Sequence, residues 1–377
     1  MDITDKLKAL IAVNSISSVN PVIDQGNRQL IELLANWFEP LGFEVEIIPL
    51  ADPRKANLIA TLGSGSGGLV LAGHTDTVPC DEQLWQQDPF ALRETDDRYY
   101  GLGVCDMKGF FAMVLAAVQT FRDKEPTKPL IILATADEES SMAGAKALVE
   151  SGKPSARYAL IGEPSGMRPI TSHKGIVVEK LRIVGRSGHS SNPALGQGTM
   201  PTLHRVLGEL LSLQQELKER YKNPLFAVDY PTLNLGCINA GDNPNRICGH
   251  SDLGFEIRPL PGMDLDALKT ELEARLLPLG KPEGVSVTME HLLVPPYQAD
   301  TNSELVARCE KLTGYRSEVV AFATEAPYLQ QLGMDVLVMG PGDIDQAHQP
   351  NEYLERKRID PMIRILEQLI AHYCFSQ

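Results

Sequence analysis

Residues 68–79 read GLVLAGHTDTVP, and the reading of the whole chain starts there. Leu69, Val70, Leu71 and Ala72 form a short apolar run with the length and composition of a buried strand. Gly73 follows, and then His74 and Asp76 stand two residues apart. In extended backbone that spacing puts both side chains on one side. Two readings are open at this point. One is a metal-binding imidazole with a carboxylate that orients its ring or lies near the ion; the other is a satisfied His and Asp in a strand-end turn. What favours the first is recurrence: apolar runs that end in acids or histidine appear again downstream.

Residues 130–136, LIILATA, make a second buried strand and run into Asp137, Glu138 and Glu139. Three carboxylates in a row suit the first turn of a helix, where the dipole favours them. After so long an apolar run they also stand at the sheet edge where open α/β sheets bind ligands. Residues 158–161 lead in the same way to Glu163. The stretch GLGVCDMKG, 101–109, places Asp106 where a loop enters an apolar helix, as an N-cap or as a ligand. Its neighbour Cys105 is expected to pack away from Asp106. Near the end of the chain a Gly/Pro/Asp loop carries His348.

The rest of the sequence bounds the problem. A chain of 377 residues is too long for one ordinary core, so two domains are expected. With 43% hydrophobic and 22% charged residues the composition is that of an ordinary soluble globular protein. A net charge of -14 argues against nucleic-acid binding, which needs clustered Lys and Arg. No apolar run approaches the ~20 residues needed to span a bilayer, so no membrane role is expected. The start, MDITDKLKALIAV, is too short and too charged for a signal peptide. The six cysteines contain no C-x-x-C pair, which indicates neither a disulfide framework nor a thiolate zinc site. A cytoplasmic location fits these features.

Helical periodicity marks residues 3–13 and 25–41, with Leu30, Leu33, Leu34, Trp37 and Phe38 on one face. The organisation changes at about His173. From there the order is strand 176–184, helix 200–221, strands 232–239 and 247–258, helix 265–277 and strand 285–293, a ferredoxin-like βαββαβ unit. The α/β style resumes after Pro295-Pro296. The expected fold class is therefore α/β, with a catalytic domain in two segments, 1–172 and 295–377, and an inserted domain at 173–294.

His74, Asp106, Glu138, Glu139, Glu163 and His348 all fall at strand ends or in loops. Imidazoles and carboxylates suit zinc and similar divalent ions. So many donors exceed one four-coordinate ion and suit two ions sharing a bridging carboxylate. Glu138 or Glu139 can then hold metal while its neighbour serves as general base.

HTDTVP (74–79), GLGVCDMKG (101–109), DEE (137–139), GEPSG (162–166), SGHSSNP (187–193) and AHQPNE (347–352) together resemble the co-catalytic zinc peptidase/deacylase family. That family includes aminoacylases, glutamate carboxypeptidases and succinyl-diaminopimelate desuccinylases. The resemblance covers essentially the whole chain, in order. It implies a catalytic α/β zinc domain with an inserted dimerisation domain, two zinc ions per subunit with cobalt able to substitute, and a homodimer. By matching motif positions, Asp106 bridges the metals, His74 and Glu163 complete one site, and Glu139 and His348 complete the other. Glu138 is the general base, Asp76 holds the His74 ring, and the peptide after Asp106 is cis. His189 reaches the active site of the partner subunit and binds the reacting carbonyl oxygen. Asn245 and Arg258 bind the substrate α-carboxylate. Stretches 133–145, 231–248 and 323–330 resemble members that hydrolyse N-acetyl-L-ornithine rather than those acting on succinyl-diaminopimelate. Another N-acyl amino acid or a dipeptide is the alternative substrate, and a non-catalytic metal-binding relative the more distant one. Many relatives have Gly-Thr-Asp where this chain has Ala323-Thr324-Glu325, so Glu325 is expected to face the substrate's distal amine.

Overall fold

The computed structural model describes residues 2–376 and divides into two compact units. Ser172–Gln298 and Val319–Ala323 form the smaller unit, and the rest of the described chain forms the larger.

The larger unit is built on a sheet whose order is Glu44–Pro49, Ala56–Leu62, Leu130–Thr135, Leu69–His74, Tyr158–Pro164, Asp335–Gly340 and the start of Ile170–His173. Its four central strands, from Leu130–Thr135 to Asp335–Gly340, are parallel. Leu69–His74, Leu130–Thr135 and Tyr158–Pro164 are buried throughout, as parallel strands covered on both faces must be. Alternate residues face opposite sides. Leu69, Leu71, Leu130 and Ile132 enter one core with helices Ile3–Ile11, Arg28–Phe38, Lys108–Gln119 and Ile359–Cys374.

Parallel pairing brings the strand C-termini to one edge. His74 stands opposite Thr135, just before the three acids. Ala72 pairs with Ile161, which sets Glu163 two residues further along its own strand. Glycines let the helices approach this edge closely. A Cβ on Gly162 would lie 2.3 Å from the Phe110 ring, and one on Gly73 would lie 2.3 Å from Met107 Cε.

The smaller unit has strands Ile176–Val184, Thr232–Ala240, His250–Arg258 and Ser286–Val294 with helices Met200–Arg220 and Leu265–Leu276. Its antiparallel sheet runs in the order Thr232–Ala240, His250–Arg258, Ile176–Val184, Ser286–Val294, which is the ferredoxin-like arrangement. Both helices cover one face, where Leu181, Ile183, Val206, Leu210, Phe255 and Leu272 form the core. The strand expected at 247–258 is interrupted. Arg246–Ile247 leaves it to pair with Gly188–His189. The break falls at Gly249, where a Cβ would meet Ser187 Oγ at 2.5 Å.

Two predictions follow from this packing. Gly162→Ala forces a methyl into the Phe110 ring and should lower the stability of the metal-free protein by about 3 kcal/mol. Urea unfolding midpoints measure it, and an unchanged midpoint would show that the sheet and helix can separate freely. His173 is fully buried, and burial lowers its pKa to about 4. The unfolded chain then takes up a proton that the folded one refuses. Stability falls as pH drops from about 6.5 toward 4, by about 3 kcal/mol from this group. His173→Gln should flatten that acid limb, and parallel limbs for variant and wild type would refute the assignment.

Candidate active site

Six of the expected groups meet at the C-terminal edge of the central sheet. His74 Nε2 lies 3.1 Å from Asp106 Oδ1 and 3.8 Å from Glu163 Oε1. His348 Nε2 lies 3.6 Å from Asp106 Oδ2 and 3.1 Å from Glu139 Oε1. The two oxygens of Asp106 therefore address different imidazoles, the geometry a bridging carboxylate requires. Glu138 completes the cluster: His74, Glu138 and Glu163 offer ligand atoms within 4.8 Å of one another, and so do His74, Asp106 and Glu139.

Asp106 does not cap the helix that follows. The cap position is Met107, with no side-chain capping bond, and the Asp106–Met107 peptide is cis. Glu138 and Glu139 are not in a helical first turn either. They lie in a turn that precedes helix Ala143–Ser151, flanked by Asp137 and Met142 with φ of 61° and 58°. Cys105 is buried, and its thiol points to the Asp343 carbonyl.

Burial and the crowding of like charges set the electrostatics of the cluster. Burial pushes the Glu138 carboxyl well above its ordinary range, and the nearby Glu163 pushes it further. Burial likewise raises Glu163. Burial opposes a charged His74 ring, but Glu163, Asp106 and Asp76 outweigh it and hold the imidazole well above its usual value. A hydrogen bond to Glu139 raises His348 to about 9. Glu163 Oε1 is buried with no hydrogen-bond partner. Buried carboxylate oxygens need a partner, and a divalent ion is the partner that fits this nitrogen and oxygen donor set. The residues present thus suit a metal site.

Asp76 acts in two directions. Its backbone carbonyl, 2.9 Å from His74 Nδ1, fixes the ring, while its carboxylate lies 3.8 Å from that nitrogen. The carboxylate oxygens instead accept the N–H groups of Glu138 and Glu139, at 3.2 and 3.0 Å. One residue so orients the histidine and the acid pair together.

Sequence reasoning gave no role to Lys55, Asp137 and Glu352. Lys55 Nζ lies 2.8 Å from Asp24 and 2.7 Å from Asp137, and Ser17 Oγ donates to the same Asp137 oxygen. The Asp137 carbonyl in turn accepts from Ser140, Ser141 and Met142, which pins the acid-bearing turn. A lone Lys in a loop carries no signal of this. Glu352 was visible as the last residue of AHQPNE. It is buried, and its carboxylate accepts from the backbone N–H groups of Gly103, Cys105 and Asp106.

Glu325 also lies beside the acid cluster, at the start of helix Ala326–Gln331. It is 1% exposed, and Oε2 is hydrogen-bonded to the Thr135 hydroxyl at 2.9 Å. Burial raises it to about 7. It stands close enough to Glu138 and Glu163 to push both carboxyls up, and its Oε1 is buried with no hydrogen-bond partner.

His189, Asn245 and Arg258 belong to the smaller unit. His189 is exposed, and Ser191 Oγ lies 2.8 Å from its Nδ1. The Asn245 carbonyl accepts the Ser190 N–H at 3.1 Å, so these two expected residues are neighbours. Arg258, half-buried at its strand end, pairs with Glu256 through two bonds of 2.7 and 3.1 Å.

Comparison with known proteins agrees with this geometry. The chain is 48% identical over 369 residues to an acetylornithine deacetylase of Pasteurella multocida, covering 97% of this chain and 96% of that one. It is 47% identical over 372 residues to an acetylornithine deacetylase of Photorhabdus laumondii, covering 98% and 96%. An M20 family metallo-carboxypeptidase of Sulfolobus solfataricus shares the fold, with a TM-score of 0.78 at 18% identity over 98% of this chain and 99% of that one. Residues 70–372, which span the acid edge and the whole smaller unit, match the sequence profile of peptidase family M20/M25/M40. The chain belongs to that family.

Proposed function

We propose that this protein hydrolyses N-acetyl-L-ornithine to L-ornithine and acetate with two divalent ions per subunit, zinc by preference and cobalt as a substitute. The observation that carries the reading is the Asp106 carboxylate set between His74 and His348, with Glu138, Glu139 and Glu163 around it. The substrate assignment is supported by near full-length identity to proteins named acetylornithine deacetylase.

His74 and Glu163 would hold one ion, Glu139 and His348 the other, and Asp106 both. Such ions, when bound, polarise the acyl carbonyl and make water acidic enough to attack at neutral pH. The chain supplies the proton traffic. Glu138, its backbone anchored by Asp76, takes a proton from the attacking water. As the acetyl C–N bond breaks, Glu138 returns that proton to the leaving α-nitrogen. Burial keeps its carboxyl basic enough to do both.

Three residues of the smaller unit complete the proposal. Arg258 and Asn245 receive the α-carboxylate, a task suited to the planar guanidinium fork. His189 donates to the developing oxyanion of a substrate held by a second copy, which makes the working form a homodimer. The reaction is placed in the cytoplasm, in keeping with six cysteines that form no disulfide. Among the described residues no helix is long and apolar enough to cross a membrane.

Initial rates of the metal-reconstituted protein on N-acetyl-L-ornithine and N-succinyl-diaminopimelate, with and without chelator, test the reading. Chelator-sensitive turnover confined to acetylornithine is expected. Turnover of the succinyl compound instead would keep the chemistry and overturn the substrate. Glu138→Gln should lower kcat by roughly 10²–10⁴-fold while both ions remain bound. Near wild-type turnover in the metal-loaded variant would remove Glu138 from the mechanism.

A further inference from the structure

We propose that Glu352 is a positioning residue for the metal pair: its carboxylate fixes the 101–106 loop so that Asp106 stands between the two imidazoles. The inference rests on the two-metal reading above. Glu352 belongs to neither of the ligand trios and is 2% exposed. Its Oε1 accepts the N–H groups of Cys105 at 2.7 Å and Asp106 at 3.0 Å, and its Oε2 accepts that of Gly103 at 2.9 Å. The Glu352 backbone carbonyl accepts a fourth, from Gly101 at 3.1 Å.

These donors stand at a junction between loop and helix where no side chain caps the helix. Buried N–H groups at such a junction must find acceptors. Here one remote side chain meets three of them. The loop has little freedom of its own to make up a loss. Gly103 has φ of +82°, and a Cβ there would meet Lys108 Cε at 2.5 Å and Thr77 Cγ2 at 2.8 Å. Glu352 also lies four residues beyond His348. One short segment thus carries the His348 imidazole, which faces Asp106 and Glu139, and the group that locks the Asp106 loop opposite it.

Chemistry makes the requirement specific to a carboxylate. Three donors divided over two oxygens need an acceptor at both atoms. Glutamine offers one oxygen and turns its NH₂ toward at least one backbone N–H. Aspartate is one methylene shorter and cannot keep both oxygens within reach of a loop whose position is fixed. Either change lets Asp106 shift relative to His348, and support groups of this kind typically govern metal affinity by 10–100-fold.

The test is metal binding by the full chain, read by competition with a chromogenic zinc chelator and by the absorption bands of the cobalt form. Wild type is expected to bind two ions per subunit. Glu352→Gln and Glu352→Asp should bind one of them roughly 10–100-fold more weakly, with altered cobalt bands. A residue that merely supports the fold would lower the melting temperature of the metal-free variants and leave both affinities intact, which would overturn the proposal. A wild type that binds fewer than two ions would instead overturn the two-metal reading. Hydrogen exchange of metal-free wild type gives a measurement independent of any variant. The amides of Gly103, Cys105 and Asp106 should already be protected before metal is added. Protection that appears only on metal binding would make the ion, and not Glu352, the organiser of the loop.

Discussion

Carboxylates crowded at one sheet edge set the terms for the rest of this molecule. Asp106, Glu138, Glu139 and Glu163 converge around the imidazoles of His74 and His348. Burial and mutual repulsion drive Glu138 and Glu163 toward their neutral forms, while both histidines are drawn toward their charged ones. A fold gains nothing in stability from such an arrangement by itself, because unpaired buried charge is costly. It becomes intelligible as a place made for cations, and the surrounding structure consists largely of devices that hold the acids together against their tendency to separate.

Each device is different because each acid arrives by a different route. His74 and Glu163 are carried on adjacent parallel strands, and ladder register alone aligns them. Glu138 and Glu139 sit in a turn, so they need help from both sides. Asp76 takes their N–H groups, and the Lys55–Asp137 ion pair holds the start of the turn. Asp106 sits in a loop and depends on Glu352. His348 has φ of 58° on an exposed loop, a backbone conformation uncommon for a non-glycine residue. The regular elements set the coarse positions, and buried polar contacts set the fine ones.

This division explains what could be read from sequence. Apolar runs ending in acids were legible because a strand buried on both faces cannot hide its composition, and residues 69–72, 130–136 and 158–161 revealed the edge. The βαββαβ order of the smaller unit was legible from periodicity. No periodicity marks His348; it stood out as a histidine in a Gly/Pro/Asp loop, and the motif resemblance gave it a role. The supports were not legible. Lys55 meets Asp24 and Asp137 only after the chain has folded, and a single lysine resembles any surface lysine until its partners are known. The burial of Glu325 was not legible either, because it comes from helix Ala326–Gln331, a segment too short for its periodicity to show. Strand 247–258 was read as continuous because a glycine in a strand pattern does not announce the close approach of Ser187 that breaks it.

The glycines at the acid edge join the fold to the site. Gly73 immediately precedes His74, and Gly162 immediately precedes Glu163. At both positions the missing side chain leaves room for helix Lys108–Gln119 and the Met107 that leads into it. That helix begins two residues after Asp106. Its close approach to the sheet therefore brings the Asp106 carboxylate down onto the strand ends that carry His74 and Glu163. Larger residues at either glycine would lift the helix, and Asp106 would rise with it. The packing that stabilises the core and the geometry that gathers the ligands are the same contact seen from two sides.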